Sequence, residues 1–275
     1  MAIGDISLTS SARANLTALQ NTTSLLEKTQ KHLSTGKTVN EASDDATAYF
    51  SSKGFLNSAN NLATVKSNLS TSLEAVNSFT DSIDSVSDII AQLQGLVTQA
   101  LGTTNTTTRA GLASQFNDLT TQLDMLVNDA TFNGTNLLNS TTAQLVVYFN
   151  EDNTTSLTIT GVNITTAGLL GAGSTAGSDW EANANIQASQ SFLLTATSTL
   201  TTDAANFGGN ATLIQTRQTF TSGLITSLQN ASSSLTAADT NEEGANLQAL
   251  QAQSSLGIVS LGVSGTLASA ILKIL

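Results

Sequence analysis

Residues 62–101 read LATVKSNLSTSLEAVNSFTDSIDSVSDIIAQLQGLVTQAL, and the spacing of their apolar positions decides the fold. Leu62, Leu69, Val76, Ile83, Ile90 and Val97 recur at every seventh position, and all are aliphatic. Val65, Phe79, Val86 and Leu93 fill the three-residue step between them. A heptad sustained this far predicts a long helix in a left-handed coiled coil. At about 1.5 Å rise per residue, ~40 residues make a rod of roughly 60 Å.

Working outward, Leu101, Gly102, Thr103, Thr104 and Asn105 read as a turn. A second helix follows, with Leu112, Phe116, Leu119, Leu123 and Leu126 on one face. It should stop near Phe132, Asn133 and Gly134, because Asn-Gly is a strong turn signal. The period then changes to two. Leu145, Val147 and Phe149 alternate with Val146 and Tyr148, and Leu157 and Ile159 alternate with Thr158 and Thr160. The polar residues 150–153 lie between them, so this is a β-hairpin. Residues 161–179 are rich in Gly, Thr and Ser and read as loop, with 162–164 open to a short strand. A second long heptad runs through Ile186, Leu193, Leu200, Phe207, Ile214, Thr221, Leu228 and Leu235. Gly208 and Gly209 weaken it by about 1 kcal/mol each, yet the register passes from Phe207 to Ile214 unbroken. One long helix, bent there, is expected.

Both ends of the chain are striped as well. Ala12, Leu16, Leu19, Leu26 and Leu33 follow helical steps, and so do Leu247, Ile258, Leu261, Ala268, Leu272 and Leu275. Chain ends usually fray and carry little pattern. Two striped ends predict a paired helix couple, with surplus apolar surface left for other copies of the chain. Small residues at Gly257, Ser260, Gly262, Ser264, Gly265, Ala268, Ser269 and Ala270 permit close helix approach. The expected fold is mainly α: a long antiparallel coiled-coil bundle with paired terminal helices and a small central β-hairpin. Its parts are 1–40 with 236–275, a body of 41–139 with 180–235, and a variable outer hairpin and loop over 140–179. Residues 1–33 and 247–275 should be disordered in the isolated chain and fold on assembly.

Composition narrows the function. The 275 residues include no Cys and no Pro, whereas average usage of ~5% would supply roughly a dozen prolines. Without Cys, disulfides and thiolate sites are excluded; without Pro, long helices run unbroken. The net charge is −11, and six of the nine basic residues lie at or before Lys66. No basic stripe for nucleic acid is present. Residues 1–10 lack the basic and apolar regions of a secretory signal. The most apolar stretch, 256–275, is interrupted by Ser and Gly and carries Lys273, so it reads as a packing stripe and not a membrane span.

Catalysis fails on inventory. The single His32 sits between Lys31 and Leu33 on a helix and reads as a solvated or interface residue. Asp44 and Asp45, or Glu242 and Glu243, diverge as helix neighbours and form no carboxylate dyad. No phosphate-binding loop and no metal spacing is present, so no cofactor is expected. Sequons at Asn15, Asn68, Asn133, Asn153 and Asn163 are what a Ser-, Thr- and Asn-rich composition produces.

Three segments carry a family resemblance. Residues 33–46, LSTGKTVNEASDDA, read as a helix end at Gly36, an extended connector, and a helix restart with carboxylates near its first turn. This segment resembles the N-terminal signature of bacterial flagellins. Residues 131–138, TFNGTNLL, resemble the family's turn before the hairpin, and 235–246, LTAADTNEEGAN, resemble the form found in alphaproteobacterial flagellins. The resemblance implies a non-enzymatic subunit exported unfolded by the flagellar type III system and polymerised into the filament outside the cell. Its implied partners are further copies of itself, the flagellar cap and hook–filament junction proteins, an export chaperone and the type III export gate. The hook–filament junction protein and a secreted coiled-coil adhesin are the alternatives; the adhesin would need a signal peptide.

The resemblance also implies surface roles. Leu16, Leu19, Leu26, Leu33, Leu247, Ile258, Leu261, Ala268, Leu272 and Leu275 would make polymer contacts. Thr154, Thr155, Thr165, Thr166, Ser174, Thr175 and Ser178 are candidates for the O-linked sugars that the family often carries. Flagellins that activate the vertebrate innate-immune receptor carry an Arg near the end of the first long body helix and a Glu on the next. Here Gln92, Leu93 and Gln94 occupy the first window and Gln115 the second, which implies weak activation.

Overall fold

The computed structural model describes residues 10–171, 176 and 180–272, with side chains as far as Thr266. In chain order the elements are α1 (Ser10–Thr35), α2 (Ala46–Leu101), α3 (Thr106–Asp129), β1 (Gln144–Tyr148), β2 (Ser156–Thr160), α4 (Thr166–Leu169), α5 (Asn183–Thr236) and α6 (Thr240–Leu272). Two compact units result: Ala59–Ile225 is one, and the chain up to Ser58 together with Thr226 onward is the other. This division differs from the expected cuts after residues 40 and 235. It also leaves the hairpin inside the Ala59–Ile225 unit and not as a separate part.

Within Ala59–Ile225, the heptad of α2 is buried as its spacing requires: Leu69, Val76, Ile83, Val86, Leu93 and Val97 are closed to solvent. The Ser and Thr residues that flank them are poor helix formers. Many donate their hydroxyls to the carbonyl four residues back, as Thr80 does to Val76 at 2.9 Å and Thr98 to Gln94 at 2.9 Å. Ile186, Leu193, Leu200, Phe207 and Ile214 of α5 are buried in the same core, and so is the polar Thr221. The helix runs through Gly208 and Gly209 without a break. Asn105 caps α3 by accepting from the Thr108 N–H at 3.1 Å. Leu112, Phe116 and Leu123 point into the core with Leu119 and Leu126 at its margin.

Beyond α3 the chain closes the core. Asn133 (φ 48°) and Gly134 (φ 78°) form a two-residue turn bridged from both sides between Phe132 and Thr135. Asn136 then clamps the exit, donating to the Val127 carbonyl at 2.7 Å and accepting from the Leu138 N–H at 2.8 Å. β1 and β2 pair antiparallel, Val146 opposite Thr158, with Val147 and Ile159 facing the core.

The stretch expected to be outer loop contributes core residues. Ile164, Leu169, Leu170 and Ala176 are buried, as is Trp180 just beyond it. Val162 and Ile164 donate to the carbonyls of Leu137 and Leu138 at 2.7 and 2.8 Å, and α4 adds one helical turn that the sequence reading missed. The pairing requires glycine at 161, where a Cβ would stand 2.5 Å from the Ser140 carbonyl oxygen. Arg109 is buried, and among the described residues no carboxylate pairs with it. Its guanidinium donates to the carbonyl of Ala100 in the last turn of α2, to that of Thr103 in the turn that follows, to the Glu181 carbonyl and to Asn183. Backbone dipoles at a helix C-terminus offset its charge.

In the other unit, α1 packs antiparallel on α6. Gly36 ends α1 at φ 67°. The connector is tied by Thr38 N–H to the Thr236 carbonyl at 2.8 Å and Ala238 N–H to the Gly36 carbonyl at 2.9 Å. The two carboxylates expected in the first turn of the restarting helix sit just ahead of it. Asp45 caps the N–H of Ala48, and Asp44 accepts from Asn40 and Glu41. Ser52 and Ser232 share a buried hydroxyl contact at 2.7 Å.

Candidate functional site

The terminal pair is built from sequence upward. One face of α1 presents Ala12, Leu16, Leu19, Leu26 and His32; one face of α6 presents Glu243, Leu247, Leu250, Gly257 and Leu261. These are among the least exposed positions of the two helices. Polar contacts stand at both ends of the seam: Asn15 Nδ2 donates to Ser260 Oγ at 3.0 Å, and His32 Nδ1 meets Glu243 Oε1 at 2.7 Å. His32 is therefore a buried, paired residue and not a solvated one.

Of the candidate polymer contacts, Leu16, Leu19, Leu26, Leu247 and Leu261 are half-buried, so their first partner lies within the chain. Leu33 and Ile258 remain exposed, Ile258 by 60%. The side chains of Ala268 and Leu272, and Leu275 altogether, fall outside the described residues. The stripe also missed positions. Leu25, Leu256, Val259 and Val263 are exposed, and the last three stand three and four apart on one face of α6. Their signal was present in the sequence: residues 256–263 are apolar on more than one helical face. Such a surface marks an interaction face.

Charges near the seam are ordered by local contacts. Lys31 pairs with Glu41, whose hydrogen bond raises the lysine above its ordinary value. Asp44 is held below the usual carboxylate range by the backbone N–H groups of Asn40 and Glu41. In the Ala59–Ile225 unit, burial pushes Asp203 upward. Among the described residues, no three His, Cys, Asp or Glu side chains gather as a metal site, and no helix is long and apolar enough to cross a membrane.

The sugar candidates separate on geometry. Thr154 and Thr155 are exposed at the hairpin turn, with the Thr154 hydroxyl accepting from Asn150. Thr165 caps α4, while Thr166 is buried and donates to the Thr120 carbonyl at 3.0 Å. Thr166 is thus removed as an acceptor, because its oxygen has no access. Ser174, Thr175 and Ser178 fall outside the described residues. The receptor window is corrected too: Leu93 is a core residue at 0% exposure, as its heptad position demands, and cannot meet a receptor. Gln94 donates to Thr197 at 3.0 Å, whereas Gln92 and Gln115 are exposed.

Long helices, a small hairpin and an outward apolar face on a paired terminus define a class, the self-assembling helical subunit. Residues 6–143 match the bacterial flagellin N-terminal helical region, and the chain belongs to the bacterial flagellin family. It is 30% identical to flagellin FljN of Caulobacter vibrioides over the whole chain and 99% of that protein. It is 28% identical to the flagellin of Brucella melitensis biotype 1 over 96% of each. Both relatives come from alphaproteobacteria. A putative flagellar hook-associated protein from Vibrio parahaemolyticus shares the fold at a TM-score of 0.59 and 15% identity, covering 70% of this chain and all of that one. The family is structural, its members being subunits of the flagellar filament.

Proposed function

We propose that this chain leaves the cell unfolded through the flagellar type III system and polymerises at the filament tip. In the polymer, α1 and α6 form an inner tube whose outward apolar faces meet those of neighbouring copies. The observation that supports this is the exposed Leu256, Val259 and Val263 on a helix whose opposite side is already occupied by α1. Three such side chains left in water cost roughly 1.5–3 kcal/mol each relative to burial. The cap, the hook–filament junction proteins, an export chaperone and the export gate are the further partners of this reading.

Three measurements test it. Filaments sheared from cells should contain this chain as their bulk component; its presence only as a trace ring at the filament base would favour the junction protein. Removing residues 268–275 should abolish pelleting of polymer while the Ala59–Ile225 unit keeps its helical signal. Amide exchange should be fast over residues 1–33 and 247–275 in the monomer and slow in the polymer, a coupled folding and assembly. Strong protection of both ends in the monomer overturns that last point.

A further inference from the structure

The seam between α1 and α6 combines apolar packing with a nearly buried polar pair, His32 and Glu243. On the seam side, α6 carries small and apolar residues at seven-residue intervals: Leu247, Ser254 and Leu261 in one row, Leu250, Gly257 and Ser264 in the next. Sliding α6 by seven residues along α1 sets Ser254 where Leu247 stood and Gly257 where Leu250 stood, so packing favours the observed stagger, and the nearly buried polar pair adds a directional contact to it. The backbone bonds at Gly36 and Thr38 tether the end of α1 to residues 236–238, just ahead of α6, and so favour the same stagger at that end.

We propose that the His32–Glu243 pair is a positioning contact that locks the stagger of the two chain ends against slippage, and with it the outward apolar face used in assembly. The proposal rests on the filament reading. His32 lies in the last turn of α1 and Glu243 in the first turn of α6, where a carboxylate suits the helix end. Their side chains are only 10% and 13% exposed, and Nδ1 stands 2.7 Å from Oε1. An ionised carboxylate only accepts, so Nδ1 is the donor. Seven residues along α6 from Glu243 the seam offers Leu250, an aliphatic side chain that gives His32 nothing to bond. The opposite slip carries His32 past the start of α6 at Thr240. A slipped pairing leaves an imidazole and a carboxylate unpartnered where little water reaches them, and that is costly. Asn15 with Ser260 marks the same stagger at the far end, but it is exposed and neutral, and so a weaker discriminator.

The absence of Cys makes the test clean. Paired substitutions Asn15→Cys and Ser260→Cys report the observed stagger as an intrachain disulfide. Thr22→Cys with Ser260→Cys reports the slip of seven that sets His32 against Leu250. Each pair is placed in the parent chain, in His32→Glu, in Glu243→Arg, and in the charge-swapped double variant, and scored in pellet and supernatant. His32→Glu sets two carboxylates against each other. It should lose most of the in-register cross-link and raise the critical concentration for polymer by about tenfold or more. The double variant should restore both. His32→Arg, which keeps a donor, should behave as the parent does. In-register cross-linking by His32→Glu at parental yield, or failure of the swap to restore it, overturns the proposal. A parent chain that cross-links in register yet never pellets would leave the positioning role standing and refute the filament reading instead.

Discussion

The Trp180 indole stands edge-on to the Phe116 ring, 5.0 Å between centroids, and its Nε1–H donates to Ser189 Oγ at 3.2 Å. Phe116 belongs to α3, Ser189 to α5, and Trp180 to the loop that joins the hairpin region to α5. The one tryptophan of the chain therefore ties three parts of the Ala59–Ile225 core together at 0% exposure. Trp180→Ala should destabilise this unit by ~3–5 kcal/mol, the range for emptying a large aromatic site. Denaturant unfolding followed by circular dichroism checks it. A loss under about 1 kcal/mol would mean the loop closes without the indole.

Leu19 of α1 lies over Gly257 of α6, where an added Cβ would come within 3.1 Å of Leu19 Cδ1. The neighbour is the flexible tip of a side chain. Gly257→Ala should therefore be close to neutral, since ~1 kcal/mol of helix propensity offsets the crowding. Gly257→Val has no such offset and should raise the critical concentration for polymerisation several-fold. Pelleting assays on the two variants separate these outcomes; equal behaviour would show that the close approach does not matter.

Two carboxylates should respond to pH in opposite ways. Asp44 is depressed by backbone N–H donors, so its contribution is present above the ordinary carboxylate value and disappears as pH falls through its lowered one. The amide signals of Asn40 and Glu41 should move together with its protonation below about pH 4, and Asp44→Ala should abolish that shift. Asp203 is raised by burial, so its ionised form is a small penalty at neutral pH that is relieved as pH falls. Asp203→Asn should stabilise by no more than ~0.5 kcal/mol at pH 7, given how much water still screens the group. The gain should vanish once pH falls below the ordinary carboxylate value, where folded and unfolded chains are both protonated; a gain that persists there would point to packing.

With Leu93 in the core, Gln92 and Gln115 are the exposed residues of the two windows that the family resemblance assigns to receptor contact, where activating flagellins would carry Arg and Glu. Neither amide reproduces a guanidinium fork or a carboxylate. Purified monomer should activate the receptor weakly, and Gln92→Arg with Gln115→Glu should increase signalling. Potent activation by the parent chain at nanomolar concentration would refute this.

Exposed Thr154 and Thr155 at the hairpin turn are the described hydroxyls best placed for sugar. Intact mass of protein from native filaments should exceed that of the bare chain, with peptide mapping placing the addition at 154–155 or within 172–178. A mass equal to the bare chain removes the idea.

Sequence alone determined the long helices, because a heptad that repeats from Leu62 to Val97 and from Ile186 to Ile214 leaves an aliphatic chain no other way to bury one face. It also determined the hairpin, whose period of two is local, and the family, whose motifs at 33–46 and 235–246 are contiguous. What it did not reveal depended on residues far apart in the chain. Ile164, Leu170 and Trp180 sit in a Gly-, Ser- and Thr-rich stretch with no periodicity, and only the folded core shows them as buried members of it. His32 looks like any solvated helix residue until Glu243, 211 positions away, is brought to its ring. The terminal stripes announce that both chain ends need partners. Which leucines meet that need inside the chain and which keep it for a neighbour is decided by the rotation of α1 against α6, a property that belongs to the folded pair and to neither segment.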